Sequence, residues 1–271
     1  MSESRALQED NGLSLNGLSL NGLSLNGLSL NGLSSAEFLT WFNQSDNGNV
    51  AGHEALMHYL VLCALPEGEE LVFHNKVLDV SYVWKGRMGL APGWASGKKA
   101  KVEEEQVISA CLAAHVNNYG IHVPISVLGK DANDDLIEFS QKELLEFGQR
   151  EACFFGNLFV PGGTLFAGNH MDALNPDEST PRPCGLTGFN STVSPEACQQ
   201  MTRIGQCATH CRLEPNGNFY SDCTVGGVTY KPLTTRIRPA DVYFCGDGVC
   251  QVGERPGEGY TANSCSLDCS L

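Results

Sequence analysis

Residues 108–129 read ISACLAAHVNNYGIHVPISVLG and contain the end of a helix, a turn and a strand. We predict a helix over 98–117, with charged residues at its start, an apolar side towards its end, and Gly120 as its terminator. Residues 122–128 alternate in polarity, which predicts a strand, and Pro124 favours a position at the edge of its sheet. A helix followed directly by a strand indicates an α+β fold.

The flanking segments add short elements of both kinds. A capping box of Ser34 and Glu37 begins one helix, and apolar residues at helical spacing predict a second helix over 52–64. Residues 70–90 are rich in Val, Phe, Tyr and Trp and predict two strands, and residues 151–167 predict a hairpin. We therefore expect a small helical part packed on short antiparallel strands.

The chain is less regular after residue 168. Short strands are predicted at 226–237 and 241–245, whereas between 169 and 222 we expect disulfides to fix a loop-rich structure. The sequence is thus divided into an N-terminal tract over 1–35, an α+β body over 36–168, a disulfide-rich extension over 169–244 and a cysteine-rich module over 245–271.

The N-terminal tract repeats one pentapeptide. NGLSL occurs at residues 11, 16, 21 and 26, and NGLSS follows at 31. One interpretation is a short coil of a four-sided β-solenoid, which buries its leucines only against the body or another chain, so that the repeats would self-associate. The other interpretation is a flexible tether between an anchor and the body.

Charge and hydropathy exclude two functional classes. Seventeen Lys and Arg against 31 Asp and Glu give a net charge of −14, and the basic residues form no stripe that could bind a phosphate backbone. The sequence has no run of about 18 apolar residues, so no transmembrane segment is predicted. We expect an acidic protein that does not bind nucleic acid.

Cysteine usage indicates the compartment. Nine of the 12 cysteines lie between residues 184 and 269, a density typical of the disulfide frameworks of exported proteins. Zinc sites usually show paired close spacings, which are missing here. We expect a secreted or cell-surface protein whose leader has been removed. The cysteines expected in disulfides are Cys63, Cys111, Cys153, Cys184, Cys198, Cys207, Cys211, Cys223, Cys245, Cys250, Cys265 and Cys269.

The parity of these cysteines constrains their pairing. Three lie before residue 169 and nine after it, and because both numbers are odd, at least one disulfide must join the two regions. Cys63 and Cys111 lie near the ends of two predicted helices and could bridge them, which leaves Cys153 for the tie to the C-terminal region. The remaining connectivity stays open.

Several stretches carry a resemblance to known sequences. YLVLCALPEG (59–68), GLAPGWASG (89–97), residues 108–129 and EACFFGNLF (151–159) resemble a family of uncharacterised exported proteins of myxobacteria. The tail CGDGVCQVGERPGEGYTANSCSLDC (245–269) is similar to a cysteine-rich module appended to many secreted proteins from those bacteria. The resemblance implies export, and it implies no established activity and no catalytic residue.

The C-terminal module contains the strongest candidate metal ligands. Asp247, Glu254 and Asp268 lie among four cysteines, and carboxylate oxygens on a disulfide-fixed loop suit Ca²⁺, the one cofactor that the sequence suggests. Residues 131–135 also begin like an EF-hand loop, but Leu136 occupies the position where that loop requires Gly. We interpret this second run as a solvated loop.

Histidines provide the candidates for catalysis. His115 and His122 flank a predicted helix end, and His170 precedes Asp172 in a polar loop. Three such groups would have to converge in space to bind a catalytic metal. No HExxH, GxSxG, P-loop or GxGxxG motif occurs in the sequence.

Two functional hypotheses follow. The first is a non-catalytic exported or surface-anchored protein with a structural, adhesion or matrix-interaction role towards a cell-surface or matrix partner. The alternative is a secreted hydrolase, metal-assisted and of unknown substrate. Three features favour the first hypothesis: the repeat tract, the disulfide-rich tail and the acidic composition. A non-catalytic protein is therefore the preferred prediction.

Overall fold

A computed structural model describes residues 8–11, 35–43, 50–116, 122–160, 162–171, 174–175, 177–182, 201–257 and 265–270. It has the predicted α+β architecture with short, mostly antiparallel strands. The helices are α1 (Ala36–Asn43), α2 (Ala51–Ala64), α3 (Pro92–Ala95), α4 (Val102–Ala114), α5 (Gln141–Glu146) and α6 (Cys207–His210), with a 3-10 turn at Pro239–Asp241. The strands are β1 (Gln8–Asn11), β2 (Glu70–Asn75), β3 (Val80–Lys85), β4 (Val123–Gly129), β5 (Gln149–Gly156), β6 (Leu165–Asn169), β7 (Glu178–Ser179), β8 (Met201–Gln206), β9 (Cys211–Leu213), β10 (Tyr220–Val225), β11 (Val228–Tyr230), β12 (Leu233–Ile237) and β13 (Tyr243–Phe244).

The main sheet has six strands in the order β1-β4-β12-β5-β6-β8. Neighbouring strands are antiparallel except β6 and β8, which run parallel. Every residue of β12 is buried, as expected for a central strand covered on both faces. Because β12 comes from the C-terminal region and lies between two strands of the body, both regions contribute to one sheet.

Helix α4 covers one face of this sheet, and α2 packs against α4. In α4 every residue from 106 to 114 is buried, and most of them are small or aliphatic, so the helix packs closely between α2 and β5. The disulfide Cys63–Cys111 joins α2 to α4, which is the helix bridge expected from the sequence.

A buried carboxylate begins α4. Glu104 accepts hydrogen bonds from the backbone N–H groups of Lys101 and Trp94, each at 2.9 Å. The N–H of Trp94 belongs to α3 and the N–H of Lys101 to the residue before α4, and neither has a partner within its own helix. The helix therefore begins at Val102, not at residue 98 as the sequence predicted.

β2 and β3 form a separate hairpin, which confirms the two strands predicted within residues 70–90. Alternation places Phe73 and Trp84 in the core and leaves Val72 and Val83 exposed on the opposite face. Phe73 lies edge-on to Phe42 of α1, with the ring centroids 5.1 Å apart, so the hairpin is held to the body by aromatic packing.

The second face of the main sheet is covered by a three-stranded sheet, β11-β10-β9, and by the segment around α5. Cys153–Cys207 joins β5 to α6, and Cys211–Cys223 joins β9 to β10. Cys153–Cys207 is the bond between the two regions that cysteine parity requires.

All ten cysteines within the described ranges form disulfides. The C-terminal module contains Cys245–Cys265 and Cys250–Cys269. Cys184 and Cys198 lie outside the described residues. None of the helices described here is long and apolar enough to cross a membrane.

One prediction about local structure is wrong, and another concerns residues that the structure does not describe. The edge position predicted from Pro124 is wrong, because β4 lies between β1 and β12, with Pro124 opposite Asp10 of the short strand β1. The pentapeptide repeat lies outside the described residues apart from Asn11 and Ser35, and Ser35 Oγ accepts the N–H of Phe38 at 3.1 Å.

Candidate functional site

A cleft of about 600 Å³ opens beside the C-terminal half of α2. Its walls are formed by α2, by the turn before β2, by the end of β3 and by His122 just before β4. His58 and His122 face each other across this region closely enough for their charges to interact. Arg87 adds a positive charge to the wall, and three glutamates add negative charge: Glu67, Glu69 and Glu70.

The environment of His58 favours its neutral form. Partial burial lowers the pKa of His58, the carboxylate of Glu54 raises it, and a positive charge on His122 lowers it again. A neutral imidazole can accept a proton or bind a metal, so His58 and His122 have the chemistry of a general base or of two metal ligands.

A third histidine lies beneath the cleft. His115 is fully buried, its ring centroid lies 5.5 Å from that of Tyr59, and its Nδ1 lies 2.8 Å from the carbonyl oxygen of Cys111. Burial and, to a smaller extent, the positive charges of Arg182, His58 and Arg87 lower the pKa of His115 to about 4, although the hydrogen bond to the Cys111 backbone acts in the opposite direction. Its Nε2 has no hydrogen-bond partner within the described ranges.

These three histidines do not converge on one point. Among the described residues, the groups of His, Cys, Asp and Glu whose ligand atoms come together each contain disulfide sulfurs, and the trio of His58, His115 and His122 is not one of them. A disulfide sulfur lacks the thiolate that a metal needs. The cleft therefore offers polar and basic groups for binding, but no preassembled three-histidine metal site. Sequence reasoning singled out His115 and His122 and missed His58.

The structure places the predicted calcium ligands on the loops of the C-terminal module. Asp268 accepts the backbone N–H groups of Gly246 at 2.5 Å, Gly248 at 2.9 Å and Asp247 at 3.2 Å, and these bonds lower its pKa. Asp247 in turn accepts the N–H of Val249 and the side-chain amide of Gln251, each at 2.8 Å. Both carboxylates thus already act as acceptors for the protein's own donors.

The third predicted ligand lies deeper. Glu254 is 5% exposed, and its Oε2 accepts the N–H of Gln251 at 3.1 Å. Within the described part of the module, the oxygens of Asp247, Glu254 and Asp268 do not form a single cluster. Calcium binding therefore stays a prediction, and the visible role of these acids is to order backbone loops.

The EF-hand-like run folds as a local turn. Asp131 Oδ1 accepts the N–H groups of Asn133 at 2.8 Å and Asp135 at 2.9 Å. Burial is the main cause that raises the pKa of Asp131. Asp134 forms an ion pair with Lys231, so this loop uses its acids in contacts within the protein.

His170 lies on the second face of the main sheet, at the end of β6 and away from the cleft. It is 7% exposed, and its Nδ1 lies 3.1 Å from the hydroxyl of Tyr220. Asp172 lies outside the described residues. Arg150 and Arg236 act electrostatically on His170, and sequence reasoning missed both, because only the pairing of β5 with β12 brings them together.

Comparison with known proteins adds no assignment to this geometry. The chain matches no family model, no curated protein and no solved structure. Its functional interpretation therefore rests on its own residues.

Proposed function

We propose that the protein is a non-catalytic exported protein whose disulfide-stabilised fold serves a structural, adhesion or matrix-interaction role at a cell surface. The observation that carries this proposal is the distribution of the disulfides. They join the two core helices, tie the main sheet to the C-terminal region, link β9 to β10 and hold the tail module. Such a framework persists in oxidising compartments.

The size of the closed loops supports the same conclusion. The paired cysteines are separated by 48, 54, 12, 20 and 19 residues. In the chain-entropy model, loops of this size each stabilise the fold by about 3 to 4 kcal/mol through the unfolded state. A fold that relies on five such bonds is expected to weaken severely in a reducing cytosol.

An exposed apolar hairpin supports the adhesion role. Five aliphatic side chains on β2, β3 and their connection are between 44% and 70% exposed: Val72, Val77, Leu78, Val80 and Val83. A contiguous patch of exposed apolar residues is typical of an interaction surface, whereas single exposed apolar residues are common on any protein. The hairpin is rigidly mounted by its buried aromatic face, so it can present these residues to a partner.

Intact-mass measurement of the native protein, with and without reductant, tests the framework. We expect the native mass to be lower than the reduced mass by one hydrogen for each of the 12 cysteines, and reduction to lower the melting temperature. Free thiols together with stoichiometric zinc would overturn the proposal.

Cosedimentation with an insoluble cell-envelope fraction tests the hairpin. Val72→Lys with Val83→Lys should reduce the bound fraction, because charges replace the apolar contact. Leu145→Lys is the matched control, since Leu145 is 80% exposed on α5, away from the hairpin. Equal binding of all three proteins would remove the hairpin from the adhesion surface.

The cleft favours one alternative, a secreted hydrolase. Its supporting observation is the pair of His58 and His122 in the walls of a 600 Å³ space. A panel of chromogenic esters, phosphates and glycosides would reveal such an activity. An enzyme should lose turnover in His58→Gln and His122→Gln and keep it in His74→Gln, whose histidine lies exposed on the hairpin. Absence of turnover across the panel would leave the non-catalytic proposal ahead.

A further inference from the structure

We infer that the second face of the main sheet contains a binding site for a small oxyanion, formed by Arg150, Arg236 and His170, with the hydroxyl of Tyr220 orienting the His170 ring. The site is separate from the cleft, and it is independent of the adhesion role.

The register of the sheet brings the two guanidinium side chains together. Arg236 of β12 lies directly opposite Arg150 of β5, so both side chains leave the sheet on the same face. A bulge in β5 between Arg150 and Ala152 sets this alignment. Like charges directly opposite each other destabilise a sheet unless an anion lies between them.

The hydrogen bonds leave this positive charge largely uncompensated. Arg236 donates to the carbonyl oxygens of Phe147 at 2.8 Å and Gly148 at 3.3 Å, which fixes its guanidinium without neutralising it. Arg150 contacts the sulfur of Met171 at 3.9 Å and has no carboxylate partner in the described part of the chain.

Glu143 of α5 is an acidic group whose charge acts on Arg236. It accepts the hydroxyl of Ser126 at 2.8 Å, and burial raises its pKa. Its charge acts on Arg236, but the carboxylate is bound to the neighbouring strand and not to a guanidinium. At this end of the sheet two permanent cations therefore lie opposite each other, and neither guanidinium is hydrogen-bonded to the Glu143 carboxylate.

His170 supplies a neutral donor beside the arginines. Its side chain is buried, with 7% of the residue exposed, and its Nε2 has no hydrogen-bond partner within the described ranges. Burial, followed by the charges of Arg150 and Arg236, lowers the pKa of His170 to about 4, while backbone hydrogen-bonding interactions with Asn218 and with His170 itself act in the opposite direction. If the Tyr220 hydroxyl donates to Nδ1, the proton of the neutral ring lies on Nε2 and is available to a ligand.

This set of donors matches an oxyanion. Guanidinium forks bind phosphate, sulfate and carboxylate oxygens with paired N–H bonds, and a neutral imidazole adds a donor without adding a charge. A cation would be repelled, and an apolar ligand would leave the donors unsatisfied. Arg236 and His170 are buried while Arg150 is half-buried, so the site opens to solvent beside Arg150 and suits a small ligand.

Calorimetric titration of the full chain with inorganic phosphate, sulfate and acetate tests the site. We expect saturable binding of at least one of these anions, and the preferred anion distinguishes a tetrahedral ligand from a carboxylate. Arg150→Gln should weaken binding about tenfold or more, which corresponds to the loss of one charged hydrogen-bonding group. Arg212→Gln, which removes an exposed arginine on β9, should bind as the native chain does.

A second measurement keeps the test valid if a variant folds poorly. In nitrogen-15 spectra of the native protein, the bound anion should shift the imidazole resonances of His170 and leave those of buried His115 unchanged. Absence of anion binding to the native chain, equal binding by Arg150→Gln, or an unshifted His170 under saturation would each overturn the proposal.

Discussion

Arg182 and Glu151 form a bidentate ion pair inside the protein. Arg182 Nε lies 2.7 Å from Oε1 and Nη2 lies 3.1 Å from Oε2, and both side chains are at most 1% exposed. The remaining guanidinium nitrogen donates to the carbonyl oxygen of Val116 at 3.4 Å. Desolvation of the two charges is thus offset by paired hydrogen bonds, and the pair fixes the segment that contains Arg182 to β5 and to the end of α4.

Removal of one partner of this pair should be costly. Arg182→Met removes both guanidinium hydrogen bonds from the buried Glu151 carboxylate, and we expect the free energy of unfolding to fall by about 3 to 5 kcal/mol. Urea denaturation measures this loss. Arg212→Met, which breaks the exposed pair with Asp222, should cost less than about 1 kcal/mol. Similar losses in both variants would contradict the structural role assigned to the buried pair.

The core disulfide should stabilise the body more than the tail bond does. Replacement of Cys63 and Cys111 by Ala opens a loop with a sequence separation of 48 residues and should lower the free energy of unfolding by about 4 kcal/mol. Replacement of Cys250 and Cys269 by Ala should leave the main unfolding transition unchanged, because that bond lies within the C-terminal module. Calorimetric scans distinguish the two cases, and a large shift for the tail variant would show that the module is part of the cooperative unit.

Acid should destabilise the fold through its buried histidines. The pKa of His115 and that of His170 are about 4 in the folded protein, against 6.5 for the ordinary group. The unfolded chain therefore binds more protons between these values, and stability falls as the pH drops from 6.5 towards 4, by about 3 kcal/mol for each histidine. Glu143, whose pKa is raised, acts in the opposite direction as the pH falls.

Urea denaturation at a series of pH values measures this dependence. A variant with His115→Gln and His170→Gln should show a flatter profile between pH 6.5 and 4 than the native chain, whatever its stability at neutral pH. His74→Gln is the control, since that histidine lies on the exposed hairpin surface. An unchanged profile in the double variant would show that other groups cause the acid sensitivity.

The calcium prediction has a direct test in Asp268. Asp268→Asn keeps the size of the side chain and removes the charge that orders the N–H groups of Gly246 and Gly248. We expect faster hydrogen exchange at both amides. If the native protein binds Ca²⁺, the ion should slow exchange in the native module and have no effect on the variant. Equal exchange with and without Ca²⁺ in the native protein would end the calcium hypothesis.

Patterns within single segments predicted the β2–β3 hairpin and the two helices that one disulfide joins. The hairpin of β2 and β3 follows from alternation and one connection, and the Cys63–Cys111 bridge follows from two helix ends. Helix α5 was not predicted, although Ser140 and Glu143 form the capping box that begins it, a signal readable in the sequence.

The pairing of strands that are distant in the chain could not be predicted from the sequence. The opposition of Arg150 and Arg236 depends on the insertion of β12 between β4 and β5 and on a bulge in β5. Nothing in either segment specifies its neighbour, because antiparallel partners are selected by the packing of the whole sheet. The same reason explains why parity required a disulfide between the two regions, with Cys153 as the candidate, but could not name Cys207.

The pairing of β1 with β4 has a consequence for the pentapeptide repeat. β1 ends at Asn11, and α1 begins at Ala36 with Phe38 and Phe42 in the core, so the fold holds the chain on both sides of the repeat. Both ends of the repeat are thus held by the body, since Asn11 lies in β1 and Ser35 accepts the N–H of Phe38 at the start of α1. A change in the number of NGLSL units alters the chain between two anchored residues and removes none of the contacts described here.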